Sequence, residues 1–138
     1  MDKIYTAKAT ATGGRNGHVK SSDGALDADV RVPKEMGGPS GAYLNPEMLF
    51  AAGYAACFDS ALSLIIRTEK VQAGTTTVTA DVSIGKLDNG GFGLAVTLEI
   101  EVPGVEKATA TELVNKAHQV CPYSNTTRGN IEVQLIVK

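Results

Sequence analysis

The stretch Asn45-Pro-Glu-Met-Leu-Phe-Ala-Ala-Gly-Tyr-Ala-Ala-Cys57-Phe58 decides the fold, because it predicts a long buried helix that carries one of the two cysteines. Asn45 is a favoured N-cap residue, Pro46 suits the first helical position, and Glu47 complements the positive end of the helix dipole. The apolar pattern continues to about Gln72, where we expect the helix to end before a glycine.

Large apolar side chains occur on every side of this predicted helix. One small sheet can cover only one side of a helix, so the remaining side needs another partner. A second copy of the chain is the simplest partner, and we expect an obligate homodimer. The large residues concerned are Leu49, Phe50, Tyr54, Phe58, Leu62 and Ile65, with alanines between them.

A membrane-spanning helix is the alternative interpretation of the segment from Met48 to Ile66, which is long enough to cross a bilayer. Asp59 lies near its middle and would cost about 2.5–3.5 kcal/mol on insertion scales. Serines, alanines and Gly53 also weaken the apolar character of the segment. We therefore interpret it as the core helix of a soluble assembly and expect no membrane partner.

Strand patterns precede the helix. Residues Ile4 to Thr12 alternate, a glycine-rich turn follows at residues 13–17, and His18 to Ser22 can return as a hairpin partner. Leu26 to Val30 alternates apolar and charged residues, as a half-buried strand does. Residues Pro33 to Leu44 contain two prolines and three glycines and predict a loop.

Two further strands, a helix and a last strand follow. Thr75 to Leu87 and Phe92 to Val102 are rich in β-formers, and Asp88-Asn-Gly-Gly91 between them is a strong hairpin signal. Thr109-Ala-Thr-Glu112 has the pattern of a capping box and predicts the start of a second helix. Ile131 to Val137 predicts a closing strand. The order β-β-β-α-β-β-α-β indicates an α+β protein with mainly antiparallel sheet.

Length and charge narrow the classes of function. The 138 residues predict a single domain, residues 1–138. Its 13 Lys and Arg and 15 Asp and Glu are interspersed, the net charge is −2, and there is no tryptophan, so nothing indicates a nucleic-acid partner. The N-terminal residues lack the apolar stretch of a signal peptide, and we expect a reducing cytoplasm.

The two cysteines, Cys57 and Cys121, are the main candidates for chemistry. They are 64 positions apart, too far for a local metal site or a CxxC motif, and Cys121 ends a predicted helix just before Pro122. A free cysteine is often simply a small buried hydrophobic residue. A lone pair in a cytoplasmic protein also suggests one thiol that reacts and another that resolves it. Neither His18 nor His118 has zinc-site spacing, so we predict no metal.

A reactive Cys57 needs a nearby cation, because burial in an apolar helix raises the pKa of a thiol. Arg15, in the glycine-rich turn, is the best candidate, and Glu47 can orient it through a bidentate pair. Arg15 could instead be a solvated turn residue, and Glu47 could serve only the helix dipole. Arginine cannot accept a proton, so the set suits a thiolate that attacks an electrophile such as a peroxide oxygen.

The spacing of Glu47 and Cys57 raises a question of geometry. Ten residues of helix span about 15 Å along the axis. Either the first helical turn unwinds, or the Glu47 that supports a given thiol comes from the other protomer, and we favour the second.

Three segments carry a family resemblance. They are the block from Asn45 to Phe58 quoted above, the block His118-Gln-Val-Cys121-Pro-Tyr-Ser-Asn-x-Thr-Arg-Gly-Asn130, and Gly13-Gly-Arg15-x-Gly17 with Ser21-Ser-Asp-Gly24. Together they resemble the organic hydroperoxide resistance proteins of the OsmC-like family. The resemblance implies an intertwined homodimer in which antiparallel sheets wrap long central helices.

The resemblance also implies an activity in the oxidative stress response. This is the reduction of organic and lipid hydroperoxides by two cysteines, without metal or flavin, using a dithiol such as a dihydrolipoyl group or a lipoylated protein. Cys57 would be the peroxidatic thiol, Cys121 the resolving thiol, and Arg15 with Glu47 the activating pair.

The residues around Cys57 predict an apolar substrate pocket formed by Phe50, Tyr54 and Phe58. Such a pocket would favour alkyl tails, since each buried methylene contributes about 0.8 kcal/mol. Two alternatives remain open. One is an OsmC-branch peroxidase with a different peroxide preference, and the other is a redox-sensing or small-ligand-binding dimer that does not turn over.

Overall fold

The computed structural model describes residues 1–138, which divide into two compact units, residues 1–49 and 50–138. Each unit has its own three-stranded sheet. The α+β class predicted from the sequence is confirmed.

The first unit contains an antiparallel sheet of β1 (Ala9–Thr12), β2 (His18–Ser21) and β3 (Asp27–Asp29), in that order. The predicted hairpin of β1 and β2 is confirmed, and its turn contains a short 3₁₀ segment, Gly14–Asn16. The first strand is shorter than predicted. Ile4 is 100% exposed, because no strand of the same chain pairs with the residues before β1.

The second unit contains β4 (Thr77–Lys86), β5 (Phe92–Glu101) and β6 (Glu132–Val137). Strands β4 and β5 form the predicted antiparallel hairpin, and Gly90 in its turn adopts a left-handed φ of 83°. Strand β6 pairs with β5 in parallel, because a helical connection brings the chain back to the same end of the sheet. The sheet is therefore mixed.

Two helices lie in that connection, α2 (Lys107–Val120) and α3 (Pro122–Thr127). The predicted capping box was wrong. Helix α2 begins before Thr109, the residue predicted as its N-cap. Glu106 is the N-cap residue instead: its backbone is extended, and its carbonyl accepts a hydrogen bond from the Ala110 N–H at 2.9 Å. The sequence reasoning also missed α3, although Pro122 at its first position is a recognised start signal.

Helix α1 (Pro46–Thr68) begins as predicted. The Asn45 side chain accepts a hydrogen bond from the Met48 N–H at 2.7 Å, which is N-cap geometry. The helix starts at Pro46 and continues unbroken through Glu47, so unwinding of its first turn is excluded as an explanation of the spacing to Cys57.

The end of α1 differs from the prediction, since the helix stops at Thr68 and not near Gln72. Lys70 adopts a left-handed φ of 56° and donates its N–H to Arg67 O, and Val71 donates to Ile66 O. These two bonds form a Schellman motif. A lysine occupies the left-handed position that usually belongs to glycine, which is why the sequence did not indicate the stop.

Helix α1 is covered on one side only. Its buried residues pack against one face of the β4–β6 sheet and against α2, while Met48 and Leu64 stay 47% and 45% exposed. By length and composition α1 could cross a membrane, with a mean hydropathy of 1.7, but a soluble core helix passes the same test. The buried hydrophobic residues of the second unit are Tyr54, Phe58, Ala61, Leu62, Val96, Leu98, Ile100, Val102, Ala110, Leu113, Val114, Ala117 and Cys121.

The left-handed Lys70 predicts a stabilising substitution. Lys70→Gly should raise the free energy of unfolding by about 0.5–1 kcal/mol, because an L-residue pays roughly 1–2 kcal/mol there and glycine loses only part of that in chain entropy. Urea unfolding measures the change. Arg67→Gly, inside the last helical turn, is the control and should destabilise by about 1 kcal/mol. A loss of stability in Lys70→Gly would contradict the assigned backbone conformation.

Candidate functional site

The two thiols lie together in the second unit. Cys57 projects from α1, and Cys121 is the single residue between α2 and α3. Both are free thiols, and their sulfur atoms are 3.7 Å apart. A disulfide needs about 2.05 Å between the sulfurs. The sulfur atoms are in contact, and a disulfide would require them to approach by about 1.7 Å.

Accessibility distinguishes the two thiols. Cys121 is 0% exposed and belongs to the hydrophobic core, whereas Cys57 is only half-buried. A molecule arriving from solvent can therefore meet the Cys57 sulfur first. Cys121 has no contact with solvent.

The pKa of Cys57 is raised, chiefly because burial disfavours the thiolate, and contact with Cys121 adds to the increase. The backbone N–H of Tyr123 acts in the opposite sense, because it hydrogen-bonds the sulfur and lowers the pKa. Sequence reasoning predicted the effect of burial but missed Tyr123, since a backbone donor leaves no mark in the residue pattern.

Arg15 and Glu47 form the predicted bidentate pair in the first unit. The two guanidinium nitrogens donate to the two carboxylate oxygens at 2.8 and 2.6 Å. The Glu47 side chain is 11% exposed and Arg15 34%. The turn that presents Arg15 depends on Gly17, where a Cβ would lie 1.7 Å from Thr12 O.

Both members of this pair are charged at neutral pH. The hydrogen bond from Arg15 lowers the pKa of Glu47 and outweighs burial, which acts to raise it. The same bond raises the pKa of Arg15. The guanidinium is held in place while part of its surface stays open to solvent.

The structure thus forms two pairs, Arg15 with Glu47 and Cys57 with Cys121, one in each unit. Of the three residues predicted for the substrate pocket, Tyr54 and Phe58 are 0% exposed, and only Phe50 keeps accessible surface.

Tyr123 extends this aromatic group. Its ring centroid lies 5.6 Å from that of Phe50 and 5.5 Å from that of Tyr54. Gly53 makes room for it, because a Cβ there would lie 2.6 Å from the Tyr123 hydroxyl oxygen. A partly exposed aromatic surface of Phe50 and Tyr123 therefore lies beside α1, and Phe50 precedes Cys57 by seven residues, about two helical turns.

Other candidate features lie elsewhere. A cavity of about 430 Å³ in the first unit is lined mainly by residues of the 31–45 segment, and the Arg31 guanidinium carbon lies 5.3 Å from the centre of the Tyr43 ring. No three His, Cys, Asp or Glu side chains converge on a point that could hold a metal ion.

Comparison with known families agrees with this fold. A family model described as OsmC-like protein matches residues 38–136. The chain therefore belongs to the OsmC-like protein family, and the resemblance drawn from its cysteine blocks is confirmed.

Individual relatives are similar over nearly their whole length. An organic hydroperoxide resistance protein of Xanthomonas axonopodis pv. citri is 55% identical over 133 residues, 96% of this chain and 93% of the relative. The crystal structure of such a protein from Elizabethkingia anophelis is 62% identical with a TM-score of 0.96, covering 100% of this chain and 99% of that one. The OhrB structure of Bacillus subtilis is 43% identical with a TM-score of 0.90, covering 99% and 100%.

The Arg15–Glu47 pair predicts a pH-dependent stability difference. Because the pKa of Glu47 is lower in the folded protein, the pair stabilises the fold above the unfolded pKa and stops doing so as the pH falls through the folded pKa. Glu47→Gln should cost about 1–2 kcal/mol at pH 7, a value reduced for the exposure of Arg15. Urea unfolding at pH 7 and at successively lower pH should show the difference from wild type shrinking.

Glu35→Gln is the matched control, since Glu35 is exposed, makes no ion pair and lies in the same unit. It should leave stability within about 0.5 kcal/mol of wild type at every pH. A Glu47→Gln effect that stays constant from neutral to acidic pH would contradict the charge-paired assignment.

Proposed function

We propose that this protein is a thiol-dependent peroxidase that reduces organic hydroperoxides to alcohols with its two cysteines. The observation that carries the proposal is the pair of sulfur atoms 3.7 Å apart, of which only Cys57 is accessible. The names of the relatives, organic hydroperoxide resistance proteins, support the substrate class.

The reaction has two chemical steps before reduction. The Cys57 thiolate attacks the distal peroxide oxygen, the O–O bond breaks, and the alkoxide leaves as an alcohol after taking up a proton. Cys57 becomes a sulfenic acid. The Cys121 sulfur then attacks the Cys57 sulfur, water leaves, and a disulfide forms. An external dithiol exchanges with this disulfide and restores both thiols.

Charge explains the proposed role of Arg15. Burial raises the pKa of Cys57, so the thiolate needs a compensating positive charge. Arginine stays protonated at every working pH and stabilises the thiolate without exchanging its proton. Glu47 would position the guanidinium by the bidentate bond.

A homodimer belongs to the same proposal. Helix α1 leaves much of its apolar surface uncovered within one chain, and Tyr5 in the N-terminal segment is 81% exposed. A second copy could cover these surfaces. In this dimer, the Glu47 of one protomer would support the thiol of the other protomer.

Phe50 would form the accessible part of the substrate pocket, with Tyr54 and Phe58 packed behind it. An aromatic surface suits the hydrocarbon part of an alkyl or fatty-acid hydroperoxide. Dihydrolipoyl groups remain the reductant suggested by the family resemblance, and two free thiols suit a reducing cytoplasm.

The cysteine roles predict a clear difference between two variants. Cys57→Ser should abolish consumption of cumene hydroperoxide, because the nucleophile is lost. Cys121→Ser should still react once and leave a sulfenic acid that a dimedone probe labels, while turnover with dihydrolipoamide stops. Peroxide consumption and mass spectrometry measure both.

Three outcomes would contradict this mechanism. Turnover by Cys57→Ser above a few per cent of wild type would reject Cys57 as the reacting thiol. Absence of dimedone labelling in Cys121→Ser would reject the assignment of roles. A wild-type protein that oxidises once and is not reduced again by dihydrolipoamide, glutathione or thioredoxin would be a sensor.

The aromatic surface predicts a preference among peroxides. Cumene hydroperoxide should react with a higher kcat/KM than hydrogen peroxide, because its hydrocarbon group gains free energy from burial while hydrogen peroxide gains none. Phe50→Ser should reduce this ratio by about tenfold, as expected for loss of roughly 1.4 kcal/mol of apolar contact. Phe92→Ser, on an exposed strand end, is the control and should leave the ratio unchanged. Equal kcat/KM values in the wild type would contradict a selective pocket and favour an OsmC-branch peroxidase with another preference.

A further inference from the structure

A buried hydrogen-bond chain links α1, which carries Cys57, with α2 and α3, which flank Cys121. His118 Nδ1 lies 2.9 Å from Ser124 Oγ, and Ser124 Oγ lies 3.0 Å from the Tyr54 hydroxyl. The Tyr54 hydroxyl lies 3.2 Å from Thr127 Oγ1, which donates to the Ser124 carbonyl. All members except His118 are buried, and His118 is half-buried. None of them takes part in the two chemical steps above.

The positions of these residues along the chain are informative. Tyr54 precedes Cys57 by three residues on α1, His118 precedes Cys121 by three at the end of α2, and Ser124 follows Cys121 by three in α3. Three residues are close to one helical turn. The hydrogen-bond chain therefore fixes the turns next to each thiol.

Counting protons assigns a direction to the hydrogen-bond chain. Each of the four contacts needs a proton, and the Ser124, Tyr54 and Thr127 hydroxyls supply one each. The remaining proton has to come from His118 Nδ1. His118 then donates to Ser124, Ser124 to Tyr54, Tyr54 to Thr127, and Thr127 to the Ser124 carbonyl.

Two further observations agree with this direction. No buried side-chain nitrogen or oxygen lacks a hydrogen-bond partner, which agrees with a fully paired set of hydroxyl groups. Burial, with the nearby charge of Arg128, lowers the pKa of His118 and so favours the neutral ring. In a neutral ring with a proton on Nδ1, Nε2 carries the lone pair.

We propose that this hydrogen-bond chain holds His118 as the neutral, Nδ1-protonated tautomer and positions Cys121 to resolve the sulfenic acid on Cys57. The inference rests on the proposed peroxidase function and adds Ser124, Thr127 and His118 to it as positioning residues. Cys121 is the only residue between two helices, so its sulfur is placed by how firmly those helices are held. A fully satisfied buried network is the device that holds them.

Two reactions then compete for the sulfenic acid on Cys57. Attack by Cys121 forms the S–S bond, breaks the S–O bond and releases water. Attack by a second hydroperoxide instead gives a sulfinic acid on Cys57 and an alcohol. A loosened Cys121 slows the first reaction without changing the second.

Ser124→Ala tests the positioning. Disulfide formation after one equivalent of cumene hydroperoxide should slow by about tenfold, because a small misplacement of reacting groups has effects of this size or larger. The rate of sulfenic acid formation, measured in the Cys121→Ser background, should stay within about twofold of its value without the Ser124 change. With excess cumene hydroperoxide, mass spectrometry should show more sulfinic acid on Cys57 than in the wild type. Disulfide formation at the wild-type rate would overturn the proposal.

Thr127→Val tests the direction of donation along the hydrogen-bond chain, because valine keeps the shape of the threonine side chain but lacks its hydroxyl. Without the Thr127 hydroxyl, Tyr54 can satisfy its own proton only by donating to Ser124. Ser124 must then donate to His118 Nδ1, so the tautomer should switch. Nitrogen NMR of the reduced protein should show a pyrrole-type Nδ1 in the wild type and a pyridine-type Nδ1 in Thr127→Val.

Two matched variants act as controls. Thr127→Ser keeps the hydroxyl and should keep the wild-type tautomer. Thr126→Val removes the neighbouring hydroxyl, which bonds only the Pro122 carbonyl on the exposed side of α3, and should change neither tautomer nor disulfide rate. A pyridine-type Nδ1 in the wild type, or the same tautomer in wild type and Thr127→Val, would overturn the proposal.

The two proposals can fail separately. If the wild type consumes no hydroperoxide, the proposed function is wrong. Diamide then forms the Cys57–Cys121 disulfide without any peroxide step, and its rate should still be about tenfold lower in Ser124→Ala. An unchanged rate with diamide would overturn the positioning role independently of peroxidase activity.

Discussion

Helix α1 carries more apolar surface than one chain can cover, and the rest of the structure follows from this constraint. The mixed sheet and α2 bury one side of it, including Tyr54 and Phe58. That packing places Cys57 against the core beside Cys121. The uncovered side is the strongest physical reason to expect a second copy of the chain. One helix thus determines the core, the position of the thiol and the proposed assembly.

Burial brings the two thiols together but disfavours ionisation of Cys57. It shields Cys121 from solvent and holds the two sulfur atoms 3.7 Å apart, as the proposed disulfide step requires. It also raises the pKa of Cys57 and so disfavours the thiolate that would react. The Tyr123 N–H offsets part of this effect, and the proposed role of Arg15 is to offset more. Proximity and reactivity are therefore supplied by different residues.

Local signals were predicted well where one residue settles the conformation. The Asn45 side chain caps α1, and the Asn-Gly turn joins β4 and β5. Both signals depend only on residues close together in the chain. The predicted capping box at Thr109 was wrong. A threonine can also lie inside a helix, where its hydroxyl donates to a backbone carbonyl one turn earlier, as Thr111 does to Lys107. The predicted end of α1 was wrong because the left-handed position that stops the helix is occupied by Lys70, a residue that does not signal a helix end.

The sequence by itself determined the α+β class, the family and the two cysteines, and it named Arg15 and Glu47 as a candidate pair with an alternative left open. These depend on residue identity, on spacing along the chain and on charge, all of which are legible in one dimension. Only the tertiary structure decided that Cys121 is sealed while Cys57 is accessible, that Tyr123 donates its backbone N–H to the thiol, and that Ser124 and Thr127 join His118 to Tyr54. Burial and hydrogen-bond partners depend on which distant segments meet, and residues 70 positions apart carry no mark of their contact.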